Sequence, residues 1–256
     1  MTARDLVDYV TALKSGSLNA DEGVVFGNPD AEITGIQVTW MATLDALEEA
    51  VQSDCNVVLC HERFYFVPQG QTMTPQLLTW SPNRNRVEAA AKGDLTVVRV
   101  HGSLDLICIW DDFVAALGVE NPTPGTGWNK VLPIPRTTVR ELVEHVKSTF
   151  NLDHVRISGD LDQQVSMAGF PWGGLGLDSN VGYQARCIEL GADVLIAGEV
   201  DEYGLTFALD AGVPIIETGH ALSENIGLEN FAHRLDAEFA EVPVHFFSDT
   251  VAGQYR

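Results

Sequence analysis

Two stretches far apart in the chain read as copies of one another. Cys55 to Glu62 is CNVVLCHE and Ala192 to Glu199 is ADVLIAGE, each a short apolar run preceded by a helix-like segment and closed by a glutamate. A second pair follows the same order. After the strand-like run LTVVRV the chain reads HGSLD (His101 to Asp105), and after VPIIE it reads HALSE (His220 to Glu224), so both copies offer His-x-x-x-acid just past a strand. An internal duplication restricts the fold sharply, because each copy must supply the same strand and helix units. Strands that alternate with helices build a layered α/β architecture rather than a sandwich.

The rest of the chain agrees with that alternation. TARDLVDYVTALKSG places Leu6, Val10 and Leu13 on one face, with Thr2 as cap and Gly16 as stop, which predicts an opening amphipathic helix. EITGIQVTW (Glu32 to Trp40) is strand-like, TLDALEEAVQS (Thr43 to Ser53) helix-like, and NRVEAAAKG a helix ending at Gly93. Between Gly118 and Pro135 the sequence GVENPTPGTGWNKVLPIP is dense in Pro and Gly, and we expect a linker or long loop there. Beyond it TTVRELVEHVKSTF predicts a capped helix, VSMAGFP a strand and NVGYQARCIELGA a helix. This divides the chain into a first lobe over 1–122 and a second over 131–256.

Charge and apolar content exclude several classes. Against 36 Asp plus Glu there are only 15 Lys plus Arg, a net charge of −21, so the chain lacks the basic footprint that nucleic acid requires. With 45% hydrophobic residues it can fill a large core, yet no apolar run approaches the roughly 20 residues of a membrane span. The N-terminus has no signal-peptide core, and a cytoplasmic protein is expected. Cys55, Cys60, Cys108 and Cys187 form no C-x-x-C pair, so reduced thiols are expected.

Buried strands are costly places to end in charge, so the polar strand ends mark a candidate site. They carry His61, Glu62, His101, Asp105, Glu199, His220 and Glu224. α/β sheets assemble pockets at such ends, and imidazole with carboxylate is the ligand set of Zn, Mn, Fe and similar ions. The pair His61–Glu62 implies that the chain leaves its sheet at Cys60 or His61, since neighbours on a regular strand face opposite ways. The glycine-rich GFPWGGLG (Gly169 to Gly176) lacks both G-K-[ST] and G-x-G-x-x-G spacing; it either holds an anion on its amides or lets the backbone approach a cavity. His145, His154, His233 and His245 lack an acid at ligand spacing and are read as surface or capping residues. Phe64, Tyr65 and Phe66 wall the pocket or the core, and Trp172 or Tyr65 is expected near a substrate.

With these segments quoted, the chain resembles the dinuclear-metal-centre proteins named after the yeast NGG-one-interacting factor, also labelled type 2 homologues of GTP cyclohydrolase I. That family shows HHPLIF, HTNLD, TGD or TGE, and GHYATE in this order; here stand HERFYF (His61 to Phe66), HGSLD, AGE (Ala197 to Glu199) and GHALSE (Gly219 to Glu224). The early DEGVVFGNPDAEITGI is similar to the family's DNVGLQVG entry and first strand. The resemblance implies metal ligands at His61, Asp105, His220 and Glu224, with Glu62 in the place of the second paired histidine. It also implies two intertwined α/β repeats with mixed sheets, two divalent ions (Mn, Fe or Zn) per chain and a ring-shaped homohexamer. The short Gly118–Pro135 segment leaves no room for the domain some members insert between their halves.

Four departures from the family pattern stand out. Glu62 replaces a histidine, Arg63 a proline and HGSLD the HTNLD segment, while Tyr203 stands about where the family often has histidine. Carboxylate for imidazole makes the site harder and more anionic, favouring Mn, Mg or Fe over Zn. Arg63 either neutralises Glu62 or faces an anionic substrate. Two functions are expected: a metal-dependent hydrolase of a small molecule, acting on a C–N or phosphoester-type bond with Glu62 or Glu199 as general base, or a non-catalytic metal-holding scaffold.

Overall fold

The computed structural model describes residues 1–68 and 70–248. They form two compact units, Met1–Cys108 with the segment from Leu228, and Ile109–Gly227. Against the lobes expected at 1–122 and 131–256, the first unit stops at Cys108 and recovers the chain at Leu228, where the last described strand joins its sheet.

In the first unit α1 (Ala3–Lys14) begins with a reciprocal cap: the Thr2 hydroxyl accepts from the Asp5 N–H, and the Asp5 carboxylate accepts from the Thr2 N–H. Leu6 and Val10 are buried, as their spacing predicts. The helix stops one residue earlier than the glycine suggests, with Ser15 in the left-handed region (φ 58). Strands β1 (Gly23–Phe26), β2 (Ile36–Thr39), β3 (Val57–Cys60) and β4 (Thr96–Arg99) follow, with α2 (Leu44–Gln52) between β2 and β3 and α3 (Ser81–Lys92) before β4. Strand β10 (Val244–Phe247) returns from the end of the chain, and the sheet order is β1-β4-β3-β2-β10. Its three central strands are buried along their whole length, which is why they read as unbroken apolar runs rather than as alternation.

After β4 the chain makes a single turn, α4 (Gly102–Leu104), then a π-helical turn at Asp105–Ile109 and α5 (Trp110–Ala116). The second unit contains β5 (Val131–Thr138), α6 (Val139–Phe150), β6 (Arg156–Ser158), β7 (Gln164–Gly169), α7 (Val181–Glu189), β8 (Val194–Ala197), α8 (Glu202–Asp210) and β9 (Ile215–Glu217), and α9 (His220–Glu238) begins in it. Its sheet runs β5-β7-β8-β9-β6.

The two sheets carry the duplication that the sequence announced. In the first, β1 pairs antiparallel with β4, β4 parallel with β3, and β3 parallel with β2. In the second, β6 pairs antiparallel with β9, β9 parallel with β8, and β8 parallel with β7. Chain order and pairing sense thus coincide strand for strand, β1 to β4 against β6 to β9. The repeats differ at the last edge, where β10 adds in parallel to β2 and β5 antiparallel to β7. Both sheets are therefore mixed.

Strand β5 corrects the loop expected over Gly118–Pro135, since it starts at Val131. Leu132 and Ile134 point inward while Pro133 and Pro135 are exposed, a period-two pattern hidden by the prolines. Proline cannot donate to a ladder, and an edge strand tolerates it because one side needs no donor. Among the described residues no helix is long and apolar enough to cross a membrane.

Candidate metal centre

In the first unit the donors gather at the ends of β3 and β4, which lie side by side in parallel with Cys60 opposite Arg99. Past Cys60 the chain turns over the end of β2: the His61 N–H donates to the Thr39 and Trp40 carbonyls, and the Glu62 N–H donates to Trp40 at 2.7 Å. Leaving the ladder here frees His61 and Glu62 from strand alternation, as their adjacency predicts. His61 is fully buried, and its Nδ1 lies 3.1 Å from the Val100 carbonyl. A carbonyl only accepts, so Nδ1 carries the proton and the Nε2 lone pair is directed to the other side. There Asp105 Oδ1 stands 3.9 Å away.

His101 and Glu62 complete this set. Glu62 Oε1 is 3.6 Å from His101 Nε2, and the His61 and His101 rings are 4.7 Å apart. One ligand atom each from His61, Glu62 and His101 falls within 4.8 Å of the others, so these three side chains form a group that could hold a metal ion. The signal of His101 in the sequence was the shared His-x-x-x-acid, with Asp105 as the acid partner.

A carboxylate from the entry segment fixes this corner. Glu22 accepts from the N–H groups of His101 (2.8 Å) and Ser103 (2.9 Å), from the Ser103 hydroxyl, and from the Asn19 N–H at 2.7 Å. Burial pushes its pKa up, but the Ser103 hydroxyl and the three backbone donors outweigh that and hold it below the ordinary glutamate value.

In the second unit the matching strand ends, β8 and β9, carry Glu199 and the pair His220 and Glu224. His220 opens α9, so Glu224 lies one turn on along the same face, with its Oε1 3.5 Å from His220 Nε2. Glu199 accepts a hydrogen bond from His220 Nδ1 at 2.9 Å. That bond is the main reason its pKa is lowered, ahead of the opposing effect of burial. Glu224 is only 3% exposed. Both units therefore share one device: an acceptor on Nδ1 sets the tautomer, and Nε2 faces a carboxylate.

The glycine-rich segment and the residues just past it pair their backbone with neighbouring segments. The Gly173 N–H donates to the Ser223 hydroxyl (2.9 Å), the Gly173 carbonyl accepts from Glu199 N–H (2.7 Å), and Asp178 N–H donates to the Asp201 carboxylate. Of the two readings, close backbone approach is the one these bonds describe. Trp172 is 3% exposed and packs with Trp110, Trp128 and Tyr183, so it belongs to an aromatic core and not to an open substrate face. Phe64 is buried, while Phe66 is exposed and lies under the Arg86 guanidinium. Arg63 reaches Glu62 through its main-chain N–H, at 3.4 Å, and among the described residues its guanidinium makes no ion pair. Tyr203 is exposed on α8, and His145 caps α5 by donating from Nε2 to the Leu117 carbonyl at 2.8 Å.

The donors suit a divalent cation of intermediate to hard character. They are imidazole nitrogen and carboxylate oxygen throughout. The four cysteines are free thiols, and Cys60, beside His61 but within β3, has its thiol pushed up to about 12 chiefly by burial, so it offers no thiolate.

A duplicated α/β chain with a His/Glu/Asp cluster at equivalent strand ends defines the class, a protein with a candidate metal site. The family model described as Duf34/NIF3 (NGG1p interacting factor 3) matches residues 1–251, and the chain belongs to that family. A relative from Clostridium acetobutylicum called GTP cyclohydrolase 1 type 2 homolog is 21% identical over 235 residues, covering 86% of this chain and 84% of its own length. One of the same name from Streptococcus pneumoniae is 24% identical over 222 residues, covering 82% and 80%. The fold matches the crystal structure of Staphylococcus aureus protein SA1388, with a TM-score of 0.80 at 18% identity over 100% of this chain and 99% of that one.

Proposed function

We propose that the protein binds two divalent metal ions, through His61, Glu62 and Asp105 of the first unit and His220 and Glu224 of the second, and is a metal-dependent hydrolase. One observation carries this reading: each repeat directs the Nε2 of a histidine to a carboxylate and fixes that histidine through Nδ1, at the same strand ends. Structural duplication alone would not keep chemistry at those positions. Divalent ions bound there supply Lewis-acid activation of water or of a polarised bond.

The chain's own groups divide the work. Val100 and Glu199 hold the tautomers of His61 and His220, and Asp105 and Glu224 present carboxylate oxygens. Glu199 was expected as an alternative general base, but its hydrogen bond to His220 Nδ1 suits it to orienting that ring. Glu62, partly exposed, is the carboxylate placed to take a proton from a nucleophile. The names of the relatives favour a C–N bond in a nucleotide-like ring, although fold and metal do not determine substrate. The same reading includes a homohexamer in the cytoplasm.

Elemental analysis after gentle purification tests the centre. A divalent transition metal is expected, lost in His220→Ala and kept in His145→Ala; no metal after reconstitution with Mn, Fe or Zn would sink the proposal. Turnover of nucleotides and cyclic amides with and without Mn separates the hydrolase from a non-catalytic metal-holding scaffold, for which no added metal would produce hydrolysis.

A further inference from the structure

The close backbone approach of GFPWGGLG has a specific object in the second unit. Gly173 lies in the left-handed region (φ 52), and a Cβ built on it would overlap Glu224 Oε1, with Glu224 Cδ at 3.1 Å and His220 Nε2 at 3.4 Å. At the next residue, a Cβ on Gly174 would meet His220 Cε1 at 3.2 Å. Behind them Gly198 packs so closely on the Gly173 backbone and the Ser223 hydroxyl that it too has no room for a methyl group. The Ser223 hydroxyl ties the layers together, accepting from Gly173 N–H and donating to the His220 carbonyl at 2.7 Å.

We infer that Gly173 is a positioning residue for the metal ligand Glu224, the space of its missing side chain being where that carboxylate sits. The inference rests on the reading of Glu224 as a ligand. Glu224 is 3% exposed with its Oε1 3.5 Å from His220 Nε2, and the backbone at Gly173 forms the wall beside its carboxylate. The clash at Gly173 is with the far end of a side chain, which can swing aside, whereas the clash at Gly198 is with backbone. Gly173→Ala therefore moves the carboxylate and adds local left-handed backbone strain while the fold persists, whereas Gly198→Ala disturbs the packing itself. Gly174→Ala only crowds the His220 ring edge and has a smaller effect.

The test titrates Mn(II), and separately Zn(II), into chelator-stripped full-length protein. Wild type, Gly173→Ala, Glu224→Ala and the double variant are compared, with Gly182→Ala as control, since nothing lies within 4 Å of a Cβ there. Gly173→Ala should weaken one binding step about 10–100-fold, the usual effect of disturbing a ligand's support. In the Glu224→Ala background it should weaken it no further, because the group it displaces is gone. Circular dichroism should match wild type. If Glu224→Ala binds both metals like wild type, the ligand reading fails and this inference with it. If Glu224→Ala is weakened but Gly173→Ala is not, the ligand reading stands and the positioning role is overturned. An equal Gly173→Ala loss in both backgrounds also overturns it, since the change then acts through the fold.

Discussion

Replacing Glu22 by glutamine tests whether the His101 corner is held by a charge or merely by shape. The carboxylate accepts from the backbone N–H groups of His101, Ser103 and Asn19 and from the Ser103 hydroxyl. Glutamine keeps the size but offers one accepting oxygen and turns an NH2 towards groups that already donate. Hydrogen bonds to a charged acceptor contribute about 1.5–3 kcal/mol each and neutral ones about 0.5–1.5. Losing the charge on five, the Asn19 side-chain amide at 3.2 Å included, with one pair left mismatched, should cost about 2–4 kcal/mol. Urea unfolding of metal-stripped protein at pH 7 measures this, with Glu88→Gln as reference, because its exposed pair with Arg84 at 3.9 Å contributes at most about 0.5 kcal/mol. The pH dependence adds a second check. The folded pKa of Glu22 lies below its unfolded value near 4.5, so its contribution is complete above that value and is lost as pH falls through the folded pKa. The deficit of Glu22→Gln should therefore shrink on acidification below about pH 4.5. A deficit under about 0.5 kcal/mol at pH 7, or one that stays constant on acidification, would refute the reasoning.

Other outcomes are expected. Glu62→His should shift competition between Mn and Zn towards Zn and Glu62→Gln should lower metal occupancy, both read by elemental analysis; unchanged stoichiometry and selectivity in both would remove Glu62 from the ligand set. Thr138→Ala breaks the reciprocal cap of α6, in which Thr138 and Glu141 satisfy each other's N–H groups, and should lower stability by about 1 kcal/mol by urea unfolding; no loss would mean that the cap is redundant. Light scattering at physiological salt should give a mass well above monomer, weakened at low ionic strength by repulsion among copies of net charge −21, and a monomer at every salt concentration would exclude the ring.

The central strands were legible because burial on both faces writes itself as unbroken apolar residues, as in Val57 to Cys60 and Val194 to Ala197. The donors were legible because a charge at the end of such a run needs a reason. What escaped was set by geometry the residue types do not carry. Strand β5 was hidden by two prolines that only an edge position permits, and β6 is three residues of mixed character. The closeness of His101 to His61 and Glu62 is not written in the residue types, because it depends on the turn past Cys60. Gly173 reads as one flexible residue among several, and its value lies in a volume that only Glu224 defines. Trp172, the aromatic expected beside a substrate, was drawn inward by three other rings.

The position of β3 and β8 at the middle of their five-stranded sheets has a kinetic consequence. Amide protons exchange through local openings, and strands bonded on both sides open last, edges first. In a hydrogen-exchange experiment β1, β5, β6 and β10 should take up deuterium well before β3 and β8. His61 follows directly from one of these strands and Glu199 follows the other after one intervening residue, so these two anchors outlast transient fraying at the sheet margins.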